Sequence, residues 1–445
     1  MQGQPGYDGT STAEVYGPRS VVPSFLRRRG VKERDARYVI GVSSLLIGIF
    51  AFTGANSLLT TQVVLTAREL NFPPAAIGGL TSLYFVGFIL GCLYGGKLVS
   101  RVGHIRSFAG LAAIAMMVAL IHPMAPILVV WLGLRAISGF SHAVLQMTAE
   151  SWINSVTTPE HRSTTLSIYR IVDLSSVTLA QFGLMLPDES GFLLFSLIAV
   201  SISFALLPVV FSRTTGPAPI SQTKPDLKLL MAMAPMAGAS ALIFGFATAG
   251  FWGLAPIYLA GNGYGGNIVA IFVSLGVVGG ALSQFPIGKL SDRIDRRLVI
   301  MGAAGVAIVA GIGLTLFGGQ PPLMLISAGL FGAAAMPIYA LAISHANDSA
   351  GPDDFVGLAG ALLLCFGIGA VAGPAGLSVF IAIFGDGMLF VGIGIAFAVL
   401  IAFGAWRLSA RAQRSQEEKD TFVHVPAGSP EQFQIDPRYE EAAAS

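Results

Sequence analysis

One stretch of the sequence places four polar side chains on one face of an otherwise apolar helix. At about 100° per residue they fall within an arc of about 80°; they are Arg135, His142, Gln146 and Glu150. An ionisable group in apolar surroundings is costly unless polar groups or water meet it. The stripe therefore forms either a hydrogen-bonded seam between helices or the wall of a water-filled cavity, and we favour the cavity.

Arg170 and Asp173 form a second polar group, three residues apart and so on one helix face. The turn before this helix lies about midway between Glu150 and Arg170, which places these two residues at similar depth. Two interpretations stay open. Either the charges form a structural ion-pair cluster, or Glu150 or Asp173 changes protonation as Arg170 exchanges partners.

The composition indicates which elements hold these groups. Of 445 residues, 54% are hydrophobic and 11% are charged, whereas a soluble domain has roughly 25% charged residues. The mean hydropathy is +0.72, and apolar runs of about 20 residues, enough to cross a bilayer as a helix, recur from Tyr38 to Trp406. These features exclude a soluble enzyme, a nucleic-acid-binding protein and a fibrous protein. The sequence predicts an all-α membrane protein.

Twelve transmembrane helices account for the apolar runs. We predict them at 38–66, 75–98, 105–123, 126–152, 164–186, 190–211, 228–260, 267–290, 297–318, 321–346, 355–383 and 386–407. Residues 1–37 are predicted to form a disordered N-terminus that ends in a basic juxtamembrane run, and 408–445 a disordered tail. A linker, 212–227, separates an N-terminal six-helix half, 38–211, from a C-terminal one, 228–407.

The distribution of Lys and Arg orients these helices. With both termini in the cytoplasm, 23 of the 26 basic residues lie in cytoplasmic segments, and one, Arg68, lies in an outer loop. The other two, Arg135 and Arg170, lie inside helices. Basic residues concentrate on the cytoplasmic side of membrane proteins. We therefore expect a multi-pass protein of the bacterial inner membrane with both its N- and C-termini in the cytoplasm.

An internal repeat divides the chain. GKLVSR (96–101) recurs as GKLSDR (288–293) after 192 residues, and AESWIN (149–154) aligns with AISHAN (342–347) at an offset of 193. A duplicated unit with an even number of crossings gives two halves of the same orientation, related by a pseudo-twofold axis along the membrane normal. A ligand site is then expected between the halves, near the middle of the membrane.

The repeated loops resemble a known motif. GGKLVSRVGHIR and IGKLSDRIDRR are similar to the G-x-L-x-D-R-x-G-R-R loop of the major facilitator superfamily, and RAISG (135–139) resembles its fourth-helix motif. RVGHIRSFA, ESWIN and the pattern HAND…FV…GPAG resemble its YcaD-like branch, whose substrates are unassigned. The resemblance spans about 38–407 and implies the major facilitator fold and a transport function.

The resemblance also implies that both copies of the loop motif belong to cytoplasmic gates. The residues concerned are Gly96, Ser100, Arg101 and Gly103 in the first copy, and Gly288, Asp292 and Arg293 in the second. The first copy has Ser100 where the superfamily usually has Asp, so only Asp292 supplies a carboxylate at this position. We expect the two gates to act unequally.

In this superfamily the first, fourth, seventh and tenth helices line the cavity. The resemblance therefore implies substrate or cavity contacts for Thr53, Asn56, Thr60, Arg135, His142, Gln146, Trp252 and Tyr339. For the hydroxyl groups the alternative is a hydrogen bond back to their own helix, which is common.

These observations predict a secondary active transporter that moves a small solute by alternating access. Protons are the expected coupling ion, with Glu150, Asp173 and Arg170 as coupling candidates. An ion-independent facilitator and a transport-inactive receptor or scaffold are the alternatives. We find no nucleotide-binding loop and no clustered metal ligands, and we expect no enzyme activity, cofactor, metal or nucleic-acid partner. The expected partners are the substrate, protons and the lipid bilayer, and the expected state is a monomer.

The charge distribution generates a test of the topology. A reporter fused at Gly261 or Gly318 should lie in the periplasm, and one fused at Thr223 should lie in the cytoplasm. A reporter enzyme that is active only outside the cytoplasm, paired with a fluorescent protein that matures only inside it, would measure this. A cytoplasmic signal at Gly261 would contradict both the twelve-helix count and the duplication.

Overall fold

The structure is a computed structural model that describes residues 24–157, 162–188, 191–210, 225–350 and 354–410. Within these ranges all regular secondary structure is helical. The α-helices are α1 (Ser24–Glu69), α2 (Pro74–Val102), α3 (His104–Met124), α4 (Leu128–Val156), α5 (Arg162–Gln181), α6 (Leu193–Val210), α7 (Leu227–Met233), α8 (Pro235–Gly261), α9 (Gly266–Arg293), α10 (Arg296–Leu316), α11 (Pro321–Ala335), α12 (Pro337–Asn347), α13 (Phe355–Phe384) and α14 (Leu389–Ala410). Short 3₁₀ turns, Phe182–Met185 and Asp386–Met388, follow α5 and precede α14.

Eleven of the described segments are long and apolar enough to cross a bilayer, with α11 and α12 forming one segment. The twelfth crossing is α5, which at 20 residues has sufficient length but holds Arg170 and Asp173. It packs against α1 and α9, so its polar side can meet protein, while exposed side chains such as Ile171 and Leu179 are apolar. The prediction of an all-α membrane protein is confirmed.

Two predicted helix limits are wrong, each for a local reason. The first helix begins at Ser24 rather than at 38, because the residues that follow are mostly good helix formers; the backbone of the basic run is therefore helical. The predicted helix 228–260 is divided, since Pro235 begins α8 and cannot donate a backbone hydrogen bond. The predicted crossing 321–346 agrees with one membrane-length segment, Pro321–Asn347, within which Pro337 begins α12. Residues 1–23, 211–224 and 411–445, which hold most of the predicted terminus, linker and tail, lie outside the described residues.

Glycines bring α2 and α4 together backbone against backbone. A Cβ added at Gly87 of α2 would overlap the carbonyl oxygen of Ala136 in α4, and one added at Gly139 of α4 would overlap that of Tyr84 in α2. Lipid provides no hydrophobic driving force between helices, so close packing at small residues holds them together. Because Gly87 and Gly139 have no side chains, the backbones of α2 and α4 can touch, and this contact sets the distance between the two helices.

The same pair of contacts recurs in the second half of the chain. A Cβ at Gly279 of α9 would overlap the carbonyl of Gly329 in α11, and one at Gly332 would overlap that of Gly276. Gly279 follows Gly87 by 192 residues, and Gly332 follows Gly139 by 193, which are the offsets of the sequence repeat. We call α1–α6 the N-half and α7–α14 the C-half; their predicted limits, 38–211 and 228–407, stay predictions.

The halves meet chiefly along four helix pairs: α1 with α8, α2 with α8, α2 with α13, and α5 with α9. Ser82 Oγ donates to the carbonyl oxygen of Val371 at 2.8 Å, and Ser274 Oγ donates to that of Thr178 at 3.3 Å. Both bonds lie toward the end of the bundle that holds the α1–α2 turn, here named the Arg68 end. The opposite end, with the α2–α3 and α9–α10 turns, is named the basic end.

The glycine contacts generate a stability prediction. Gly139→Ala should lower the thermal midpoint of the purified protein in detergent, because overpacking costs about 1–3 kcal/mol and here the obstacle is backbone. Gly133→Ala on the same helix is the matched control, since a Cβ there meets nothing within 4 Å and Ala favours helix over Gly. Equal midpoints for the two variants would contradict the close contact between α2 and α4.

Candidate substrate cavity

A cavity of about 270 Å³ lies between the halves. Four helices of the N-half (α1, α2, α4 and α5) and four of the C-half (α8, α9, α12 and α13) supply its walls. Its neutral polar residues are Thr53, Asn56, Ser57, Thr60, Thr61, Thr81, Gln146, Thr248 and Gln284. Its aromatic residues are Tyr84, Phe85, Phe88, Phe244, Trp252, Tyr339 and Phe366. The cavity thus offers hydrogen-bonding groups and flat apolar faces together.

Most of the residues singled out from the sequence meet at this cavity. Seven of the eight proposed substrate contacts line it, namely Thr53, Asn56, Thr60, His142, Gln146, Trp252 and Tyr339. The eighth, Arg135, is 1% exposed and is not in the wall. Among the coupling candidates, Arg170 and Asp173 line the cavity, and Glu150 is buried beside Gln146.

The wall residues on α2, α9 and α13 were not singled out by any sequence pattern above, and neither were some on other helices, such as Phe244 and Thr248 of α8. On α2, Thr81, Tyr84 and Phe88 recur at spacings of three and four residues, which is the pattern of a helix face. That spacing could have identified them, although aromatic residues at helical spacing are equally typical of an apolar core. Gln284 is an amide within the apolar α9 and is a comparable signal.

Aromatic rings surround His142 on the N-half side of the cavity. Its ring stacks on Phe52 with centroids 5.4 Å apart, and it lies 6.2 Å from the ring of Tyr84 and 6.0 Å from that of Phe88. In the C-half, Phe244 stacks on Tyr339 at 5.5 Å. Since both walls present aromatic rings, a planar group between them would find favourable offset or edge-on contacts.

Glu150 of α4 and Asp173 of α5 differ in their position relative to the cavity. Glu150 is 3% exposed, and its Oε1 accepts hydrogen bonds from the Tyr169 hydroxyl at 2.8 Å and from Gln146 Nε2 at 3.1 Å. Asp173 lies in the wall, and its Oδ2 is 2.7 Å from Arg170 Nη1, the pairing that their spacing predicts. One carboxylate is therefore held by a phenol and an amide beside the cavity, and the other is paired with an arginine inside it.

Arg68 connects the halves at the Arg68 end. Its Nη1 donates to the carbonyl oxygen of Ile257 at 2.9 Å and lies 3.4 Å from Oδ2 of Asp386, and both partners belong to the C-half. Nearby, a Cβ added at Gly266, the start of α9, would overlap the carbonyl of Leu184. These contacts hold the halves together on this side of the cavity.

Asp295 organises the second loop motif at the basic end. Its carboxylate accepts from the backbone N–H of Arg297 at 2.9 Å and from Arg297 Nη2 at 2.7 Å. Burial alone would raise the pKa of Asp295, but the hydrogen bonds and charge of Arg297 outweigh it and hold the pKa below its usual value. Arg296 Nε lies 2.8 Å from Oδ2 of Asp348, so the acidic segment after α12 pairs with α10.

The predicted gating residues lie at this basic end. Gly103 joins α2 to α3 with φ 92°, a conformation that favours glycine. Ser100 Oγ donates to the carbonyl of Lys97 in its own helix, and Asp292 lies 3.5 Å from Arg296 within the C-half. Of the others, Gly96 and Gly288 are buried, and Arg101 and Arg293 are exposed. Their role in gating stays a prediction.

Comparisons with known proteins identify the family. The family model described as Major Facilitator Superfamily matches residues 45–353 and 237–429. The chain belongs to the major facilitator superfamily. It is accordingly a multi-pass membrane transporter of a small molecule and not an enzyme. Relatives from Salmonella paratyphi A and Salmonella typhi are each described as an uncharacterized MFS-type transporter YcaD. Each is 28% identical over an alignment of 379 residues that covers 82% of this chain and 95% of the relative. The resemblance to this branch is confirmed.

Solved structures of two transporters share the fold. A mutant of the nucleoside transporter NupG superposes with a TM-score of 0.70 at 15% identity, covering 82% of this chain and 99% of that one. A D-xylose-proton symporter superposes with a TM-score of 0.61 at 14% identity, covering 86% and 99%. At such identities the likeness concerns the fold alone, and it confirms the predicted all-helical major facilitator fold.

The bridge made by Arg68 generates a prediction about access. Arg68→Ala removes the hydrogen bond to Ile257 and the pairing with Asp386, and so should open the Arg68 end more often. The pair is about one-third exposed on each side and worth about 0–1 kcal/mol, and the hydrogen bond adds about 1 kcal/mol. We therefore expect a severalfold effect.

Labelling of a cavity cysteine would measure it. Thr60→Cys, in a background where Cys92 and Cys365 are replaced by Ser, should react severalfold faster with a membrane-impermeant maleimide supplied from the Arg68 side when Arg68→Ala is present. Glu69→Ala, at the exposed neighbouring position, is the control and should leave the rate unchanged. An unchanged rate in Arg68→Ala would show that this bridge does not restrict access.

Proposed function

We propose that this transporter is a secondary active transporter, one that moves its solute across the bacterial inner membrane by alternating access with both termini in the cytoplasm. The cavity is the observation that carries the proposal, because it lies between two duplicated halves that touch at the Arg68 end. A site between two such halves can be exposed to either side in turn as one half rocks against the other. The concentration of basic residues on one side of the twelve helices supports the orientation.

The coupling ion in this proposal is the proton, and Glu150 is its carrier. Glu150 is nearly buried and binds Tyr169 and Gln146. A hydroxyl group can donate or accept a hydrogen bond, and an amide presents a donor and an acceptor. Both partners can therefore satisfy the carboxylate and, after reorientation, the carboxylic acid. The site can then change charge without leaving either partner unsatisfied, which a coupling residue requires.

The Arg170–Asp173 pair favours a second candidate, an ion-independent facilitator. The carboxylate in the cavity wall lies 2.7 Å from an arginine on the same helix, so the charges of the wall can be structural. A facilitator with this cavity would carry its solute only down the solute's own gradient. Membership of a transporter superfamily argues against the third alternative, a transport-inactive receptor or scaffold.

A first experiment finds a solute with which to test coupling. A ligand that binds the folded state raises its melting temperature, so the purified chain is screened against metabolites and drugs small enough for the cavity. Each stabilising compound is then tested for exchange in proteoliposomes. A compound that stabilises the protein and exchanges across the bilayer is the substrate used below.

The coupling prediction is that Glu150→Gln abolishes accumulation driven by a proton gradient and preserves exchange. Gln keeps the shape of Glu and its hydrogen bonds but fixes the neutral state, so substrate binding and downhill exchange persist while proton loading is lost. Proteoliposomes prepared at one pH and diluted into another measure accumulation. Glu69→Gln, an exposed carboxylate outside the cavity, is the matched control and should accumulate solute as the wild type does.

Each other outcome has a defined meaning. If Glu150→Gln accumulates solute at the wild-type rate and Asp173→Asn does not, the coupling residue is Asp173. Failure of the wild type itself to accumulate, with exchange intact and independent of the pH gradient, would establish the facilitator.

A further inference from the structure

Arg135 is a buried cation without a hydrogen-bond acceptor. It lies in the first third of α4, is 1% exposed, and none of its three guanidinium nitrogens has a partner in the described part of the chain. Its close neighbour is the ring of Tyr84, whose centroid is 4.4 Å from the guanidinium carbon. A cation over an aromatic face is stabilised, but five N–H groups stay unsatisfied.

Such an arrangement destabilises the protein on its own. Buried charges are normally paired, and an uncompensated one is strongly unfavourable. No carboxylate pairs with Arg135 among the described residues, and the electrostatic neighbours it has besides Tyr84 are the imidazoles of His122 and His142. Strain of this kind persists at functional sites, where a ligand relieves it.

Tyr84 separates Arg135 from the cavity. Its ring covers the guanidinium, while Tyr84 also lines the cavity and its hydroxyl accepts a hydrogen bond from Asn56 Nδ2 at 3.1 Å. The backbone carbonyl of Tyr84 contacts Gly139, one turn after Arg135 on α4. This contact places the Tyr84 ring level with the guanidinium group along the helix axis. Rotation of one side chain would therefore connect an unpaired cation to the cavity.

We propose that Arg135 binds the anionic group of the transported solute, and that the solute is a planar-ring organic anion carrying a carboxylate or a phosphoryl group. The anion replaces the ring of Tyr84 at the guanidinium, with which it forms paired charge-assisted hydrogen bonds. The ring of the solute occupies the space between the aromatic walls that include Phe88 and Tyr339. This inference rests on the proposed function, because it takes the cavity to be the substrate site.

The surrounding charges favour an anion over the alternatives. Among the described residues that line the cavity, the arginine is Arg170, and it is paired with Asp173 at 2.7 Å. A cationic solute at Tyr84 would be repelled by Arg135, and a neutral solute would leave its charge uncompensated. An anion is the ligand that removes the unfavourable burial of Arg135.

Binding of small probes to the full chain in detergent tests the proposal. The probes share one ring and differ in charge: benzoate and phenyl phosphate are anions, benzamide is neutral and benzylamine is a cation. Benzoate or phenyl phosphate should raise the melting temperature, and the stronger of the two shows whether a carboxylate or a phosphoryl group is preferred. Arg135→Gln should weaken binding of that anion about tenfold to a hundredfold, the loss expected for hydrogen bonds to a charged group. Arg135→Lys should lose less.

A second measurement needs no ligand. Without anion, Arg135→Met should melt at a higher temperature than the wild type, because it removes an unpaired buried charge and keeps the packing of the side chain. Arg170→Met is the matched control and should melt at a lower temperature, because it strands the carboxylate of Asp173. If Arg135 had a purely structural role, Arg135→Met would instead melt at a lower temperature than the wild type.

The proposal is overturned if neither anion stabilises the wild type, if benzamide binds as well as benzoate, or if Arg135→Met melts at a lower temperature. Because these readouts involve no transport, they are separable from the proposed function. Anion binding that depends on Arg135, in a protein that does not move the anion across proteoliposomes, would refute transport of that anion and leave the binding site standing.

Discussion

Backbone contact between helices at glycine is the constraint on which the site depends. The approach of α2 to α4 at Gly87 and Gly139 leaves no room for a Cβ, and it sets the height of Tyr84 relative to Arg135. In lipid such contacts replace the hydrophobic effect as the source of helix association. The face that each helix turns toward the cavity is therefore decided where the helices touch, at positions outside the cavity itself.

Both copies of the duplicated unit have this backbone contact, but the side chains beside it differ between the two halves. The positions that match Tyr84, Arg135 and Glu150 at the repeat offsets are Gly276, Ala328 and Ile343. Beside Gly276 the space is taken by Phe251, which stacks on Phe272 and Phe331 with centroids 5.6 and 5.3 Å apart. One scaffold thus holds ionisable groups in the N-half and an aromatic cluster in the C-half, so charge chemistry at the cavity falls to the N-half.

The helices could be predicted from the sequence because each signal involved is local. Apolar length, the separation of basic residues and the repeat offset are all readable along the chain, and so is the face shared by Arg135, His142 and Gln146. Which side chains of other helices cover that face depends on contacts between residues that are distant in the sequence. Tyr84 screens Arg135 because α2 and α4, about 50 residues apart in the chain, touch at two glycines, and periodicity within one helix carries no information about a neighbour. The helix starts at Pro235 and Pro337 could not be read from proline alone, although proline lacks the N–H of a continuous helix, because Pro256, Pro286 and Pro374 lie inside continuous helices.

Alternating access requires that each half be more rigid than the interface between the two halves. Inside each half the contacts are between backbones, and overlap there leaves no room for gradual movement. Between the halves, backbone contacts at glycine lie toward the Arg68 end, at Gly266 against the carbonyl of Leu184 and at Gly78 against that of Pro374. Beside them are single hydrogen bonds from Ser82 and Ser274 and the Arg68–Asp386 ion pair, whose side chains are 33% and 39% exposed. Exposed pairs are worth about 0–1 kcal/mol, so the Arg68–Asp386 pair can be broken and remade at little cost. Separating the halves at the Arg68 end must also open the contacts at Gly266 and Gly78, whereas the glycine contacts inside each half can persist. The side chain of Tyr84 can likewise move while its backbone, which is in contact with Gly139, stays in place.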